Sequence, residues 1–85
     1  MKLVRTRHFL DDYRSLPPPL RKKVDQKLIR LLSDHRYPGL AARKMVNQPA
    51  IWEARIDAHT RLTFQWEKDM VVLRRVGTHA IYRKP

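Results

Sequence analysis

The chain has 85 residues, no cysteine, 42% hydrophobic residues, and 19 Lys and Arg against 8 Asp and Glu, a formal net charge of +11. That length fits one domain, residues 1–85, with a single modest core, and the lack of cysteine excludes a disulfide framework and a thiolate metal site. The charge excess points to a polyanion, above all nucleic acid or a nucleic-acid machine, or to an acidic protein partner.

At the N-terminus, "MKLVRTRHFLDDY" lacks the apolar core of a signal peptide, and no apolar run approaches a membrane span. A cytoplasmic protein with no membrane association is expected. Met1 to Thr6 alternates as a short first strand. His8 to Leu16 reads as a brief helix, with Phe9, Tyr13 and Leu16 at helical spacing. The prolines at 17, 18 and 19 stop it and are well suited to start a second helix, where a missing N–H costs nothing. On that helix Leu20, Val24, Leu28, Leu31 and Leu32 form one apolar stripe, and "RYPG" marks its end.

Beyond Gly39 the period changes to two. Arg43 to Val46 reads as a short strand, "NQPA" as a turn, and Ile51 to Glu67 as a hairpin; Met70 to Val76 is an almost continuous apolar strand of the kind found inside a sheet. The expected fold is α+β in the order β-α-α-β-β-β, with two N-terminal helices packed on one face of a small, mainly antiparallel sheet. In the hairpin, Trp52, Ala54, Ile56, Leu62, Phe64 and Trp66 share the face beneath the helices, which leaves Glu53, Arg55, Arg61 and Thr63 on an open face. Setting Asp57 opposite Arg61, with Ala58-His59-Thr60 as the loop, pairs opposite charges. It makes Arg55 and Arg61 diagonal neighbours about 7–8 Å apart, whereas the alternative register sets the two arginines directly against each other. Two guanidinium groups on one face suit a phosphate.

His79 follows the last strand, beside Gly77 and Thr78 and close to Tyr82. The end of an inner strand is a rigid mount for a reactive group, and histidine titrates near neutrality. His8, His35 and His59 fall at a helix start, a helix end and a turn; they lack metal-ligand spacing and are read as structural or surface residues. No metal or cofactor is expected.

The element order, the run "IWEARIDAHTRLTF" and the ending "LRRVGTHAIY" together resemble the RelE/ParE toxin superfamily of bacterial toxin–antitoxin systems. The resemblance spans nearly the whole chain and is weakest between Arg36 and Gln48. Its RelE branch implies a ribosome-dependent endoribonuclease that cuts mRNA in the decoding site and is blocked by an acidic, DNA-binding antitoxin. By position, Arg61 matches the arginine on the scissile phosphate and His79 the catalytic histidine of the YoeB and YafQ branches. Arg55 and Glu53 match positions that are basic in RelE, and Tyr82 stands for a tyrosine near its C-terminus. The implied roles are phosphate binding for Arg61 and Arg55, acid for His79 and base for Glu53. Arg43, Lys44, Arg74, Arg83 and Lys84 are the further cations expected to hold RNA. The chain departs from the family at Ala80, a tyrosine in YoeB, and at Glu53, a lysine in RelE; "GLAARKMV" offers no counterpart to an acidic residue of YoeB. Two alternatives stay open: a gyrase inhibitor of the ParE branch, and a non-catalytic basic module held by an antitoxin.

Overall fold

The computed structural model of the protein describes residues 2–34 and 36–85. Met1 and His35, assigned above to the first strand and to a helix end, lie outside the described residues. Strand β1 (Lys2–Arg5) ends at Thr6, whose Oγ1 accepts from the Phe9 N–H at 3.2 Å and so caps helix α1 (Arg7–Ser15). The same hydroxyl donates to the Leu73 carbonyl at 2.7 Å, tying the helix start to the sheet. Pro17 caps and Pro18 opens helix α2 (Pro18–Ser33). Its stripe buries Val24, Leu28 and Leu31, but Leu32 is exposed, because the core-facing arc is too narrow for two adjacent leucines.

A 3₁₀ turn at Pro38–Leu40 leads into β2 (Arg43–Met45), β3 (Gln48–Arg55), β4 (Arg61–Glu67) and β5 (Met70–Gly77). The sheet order is β1-β5-β4-β3-β2, antiparallel except for the β1–β5 pair. The expected "NQPA" turn is shorter than its sequence suggests: Gln48, Pro49 and Ala50 already belong to β3. Between Lys44↔Trp52 and Met45↔Gln48 the register jumps. Pro49 sits in that irregularity, where its missing N–H breaks no ladder bond.

Phe9, Val24, Leu28, Leu31 and Leu40 pack on Ala54, Ile56, Leu62, Phe64, Val71, Leu73 and Val76 to form the core. Trp52 and Trp66 flank Phe64 with ring centroids 6.4 and 5.4 Å away, so the apolar half of the hairpin alternation lies under the helices as expected.

The hairpin register differs from the expected one. Arg55 pairs directly with Arg61, Ile56 N–H donates to the Thr60 carbonyl, and the loop is Asp57-Ala58-His59. Asp57 does not pair with Arg61. Its Oδ1 accepts from the N–H groups of His59 (2.9 Å) and Thr60 (2.8 Å), which builds the turn from inside. Repulsion between the facing arginines is relieved because Arg61 Nη1 donates to the carbonyls of Asp57 (2.6 Å) and Thr60 (3.1 Å), while Arg55 extends into solvent. The loop length stays odd, so the faces keep their parity.

A second correction concerns the face away from the helices. It is not open: Thr63 is 0% and Glu53 8% exposed, and Ile51, Ile81 and Pro85 are buried with them. The C-terminal segment folds back across that face. Among the described residues no helix is long and apolar enough to cross a membrane.

Candidate functional site

The segment that covers the second face begins where β5 stops. After Gly77 the chain enters a 3₁₀ turn, His79–Arg83, closed by Ile81 N–H to the Thr78 carbonyl and Lys84 N–H to the Ile81 carbonyl, each 3.1 Å. A side chain at 77 would place its Cβ 3.0 Å from Ile81 Cγ2, so glycine allows the turn to settle on the strand. Ile81 is the apolar anchor. His79 and Tyr82 lie on the same turn with ring centroids 5.4 Å apart in an edge-to-face contact.

Tyr82 reaches over β3. Its hydroxyl lies against the Glu53 carboxylate, and burial together with that carboxylate holds it above the ordinary tyrosine range, with Arg61 and Arg43 pulling the other way. Glu53 is also paired across strands with Arg43, Nε to Oε1 at 2.7 Å, which raises the arginine further above its usual value. Arg43, Glu53, Arg55 and Arg61 share a cleft of about 140 Å³ with Ala41 and Ala54. A neighbouring cleft of about 480 Å³ runs from Arg43, Lys44 and Glu53 to Tyr82. Lys44 stands 5.9 Å over the Trp52 ring, a cation–π contact.

The expected site residues therefore fall into two groups. Glu53, Arg55, Arg61, Tyr82, Arg43 and Lys44 are contiguous, with His79 at one end through Tyr82. Arg74, Arg83 and Lys84 line a different cleft of about 440 Å³ together with Thr6, His8 and Arg75. Arg74 is committed inward: Nη1 donates to Gln65 Oε1 at 2.6 Å and Nε to the main-chain oxygen of Pro85 at 3.0 Å. Among the described residues the side chains of Arg55 and Arg83 make no hydrogen bond or ion pair, and no group of three or more His, Asp or Glu is placed to hold a metal.

Sequence reasoning assigned no role to Asp12 and Arg75. Arg75 forms a two-point ion pair with Asp12, Nε to Oδ2 at 2.6 Å and Nη2 to Oδ1 at 3.1 Å, across 63 positions of the chain. Nothing local in "LRRV" marks that contact; only the packing of α1 beside β5 creates it.

The arrangement presents guanidinium groups, a tyrosine hydroxyl seated on a buried carboxylate, and an exposed imidazole at one end of the sheet. Cations of this geometry gather a phosphate, and the imidazole and the hydroxyl–carboxylate pair are capable of moving protons. The fold has close counterparts among solved structures. YafQ from E. coli strain BL21(DE3) superposes with a TM-score of 0.79 at 12% identity, covering 95% of this chain and 96% of that one. The RelB–RelE antitoxin–toxin complex from Methanococcus jannaschii gives 0.76 at 18% identity, over 96% and 99%. The intact E. coli RelBE toxin–antitoxin complex gives 0.72 at 21% identity, over 91% and 94%. No protein-family model matches the sequence, and it matches no curated protein. The chain thus has the fold of the RelE, YoeB and YafQ toxins.

Proposed function

Starting from a toxin fold that carries a cationic, proton-competent cluster, we propose that the protein is the toxin of a toxin–antitoxin pair and an endoribonuclease that cleaves mRNA on the ribosome. The observation that carries this reading is the contiguity of Arg61, Arg55, Glu53, Tyr82 and His79 at one end of the sheet.

In the reaction the 2′-OH of one nucleotide attacks the adjacent phosphorus. The 2′-O–P bond forms, the P–O5′ bond breaks, and the products carry a 2′,3′-cyclic phosphate and a 5′-OH. Arg55, with its guanidinium in solvent, and Arg61, held on the turn carbonyls, face the non-bridging oxygens, where negative charge builds up in the transition state. His79 gives a proton to the leaving 5′ oxygen. Glu53 takes the 2′-OH proton, and because its side chain is only 10% exposed, Tyr82 carries that proton to it by giving up its own. Lys44, with its ammonium over an aromatic face, and the exposed Arg83 and Lys84 hold the strand on either side. A charge of +11 suits an acidic antitoxin that neutralises this surface.

Induction in cells tests the reading. Wild-type protein is expected to halt growth with cuts inside translated regions of a reporter mRNA, and Arg61→Ala and His79→Ala to relieve the arrest. Intact mRNA with a DNA-damage response would overturn it in favour of gyrase poisoning.

A further inference from the structure

The segment that follows the turn bearing His79 and Tyr82 rests on two consecutive arginines that face the same way, an arrangement that regular strand alternation forbids. The β4–β5 register is Thr63↔Arg75 and then Phe64↔Leu73, so β5 carries an extra residue at Arg74. Such a bulge lets neighbouring side chains escape the two-residue period, and bulges commonly re-aim side chains near functional sites. Both arginines here turn to the C-terminal segment. Arg74 Nε donates to the main-chain oxygen of Pro85 at 3.0 Å, joined there by Thr63 Oγ1 at 2.9 Å; Arg75 Nη1 donates to the Lys84 carbonyl at 3.2 Å. Two further donors of Arg75 are held by Asp12 on α1, whose Oδ2 also accepts the Val76 N–H at 3.1 Å, beyond the end of β1.

We infer that Asp12 and Arg75 are positioning residues: through the β5 bulge they latch the segment 79–85 to the sheet and thereby fix where His79 and Tyr82 stand relative to Arg61 and Glu53. The physical case is the balance of contacts. Among the described residues Ile81 is the buried apolar anchor of the turn and Tyr82 adds its contact with Glu53, while the chain beyond the turn is tied to the sheet by hydrogen bonds to the main-chain oxygens of Lys84 and Pro85. A charged donor held by a carboxylate loses little side-chain entropy in making such a bond, because the ion pair has already ordered it. Asp12 thus extends the site's support to a helix that contributes no residue to the proposed chemistry.

The role rests on the nuclease reading, but its structural half is measurable without activity. Hydrogen exchange of the Ile81 and Lys84 amides and the His79 ring resonances are followed by NMR in wild type, Arg75→Lys, Asp12→Asn and Ser15→Ala. Arg75→Lys keeps the charge and loses the fork; Asp12→Asn keeps an acceptor for Val76. Both are expected to speed exchange at Ile81 and Lys84 about tenfold or more, as for loss of a charge-assisted hydrogen bond, and to shift His79. Ser15→Ala removes the exposed bond from the Ser15 hydroxyl to the Asp11 carbonyl of α1 without touching the latch, and is expected to leave both readouts near wild type. In RNA cleavage Arg75→Lys should lower kcat with KM unchanged. Unchanged exchange in the two latch variants, or equal acceleration in Ser15→Ala, overturns the latch. Wild-type protein that cuts no RNA overturns the nuclease reading instead and leaves the exchange result to judge the latch.

Discussion

The two faces of the sheet are held by different physics. Under the helices, Phe64, Leu62, Val71, Leu73 and Val76 are packed to 2% exposure or less and make an apolar layer that tolerates little change. On the other face burial is just as deep at Thr63 but is achieved with hydroxyl, guanidinium and carboxylate groups bonded to one another and to the main chain of the tail. Among the described residues no buried side-chain polar atom lacks a partner. One face is therefore a stability device, whereas the other is a positioning device with a modest share in stability and a large one in where charges point.

Substitutions that separate the two faces should differ in kind. Phe64→Ala opens a cavity amid the helix-covered core and is expected to cost about 3–5 kcal/mol in denaturant unfolding. Asp57→Ala, at the turn joining β3 and β4, removes the acceptor for two backbone N–H groups and should cost about 1–2 kcal/mol. Its titration has a sign. Those N–H donors chiefly hold the Asp57 carboxyl below its ordinary value, so the stabilisation is complete above the unfolded-state pKa and disappears as pH falls through the folded one. Wild type should thus lose stability on acidification by more than Asp57→Ala does.

Thr63→Val keeps the volume beneath the tail and removes one donor to Pro85, whose oxygen retains Arg74. A loss of about 1 kcal/mol is expected, with little change in the helix-covered core by NMR. The smallest effect belongs to Tyr82→Phe. Because the folded state holds the Tyr82 proton more tightly than the unfolded chain, stability is complete below the unfolded tyrosine pKa of about 10 and declines as pH rises through the folded value. Tyr82→Phe should flatten that alkaline decline in a pH series of melting curves.

The apolar face was legible because alternation and helical spacing are local: Trp52 to Ile56 and Leu62 to Trp66 announce which side is buried, and the prolines at 17 and 18 announce where α2 begins. The second face was legible only in part. Arg55, Arg61, His79 and Tyr82 stand out as residue types at strand positions, yet charge pairing alone gave the wrong hairpin register, because Asp57 is worth more as a turn cap than as a partner for Arg61. The tail "THAIYRKP" carries no periodicity that announces a fold-back. It meets the sheet at a bulge and beside an ion pair 63 positions apart in the chain, neither of which has a sequence signature. Long-range polar contacts of this kind are set by tertiary packing, and they decide that Glu53 is enclosed rather than open to solvent.

The most direct test of the proposed phosphate-handling site is cleavage of mRNA bound to programmed ribosomes by purified protein, mapped at nucleotide resolution for wild type, Arg61→Ala and His79→Ala. Discrete cuts leaving a 2′,3′-cyclic phosphate, reduced about 100-fold or more in either variant while melting temperatures stay near wild type, are the predicted result. Cleavage that persists at the wild-type rate in both folded variants would contradict it.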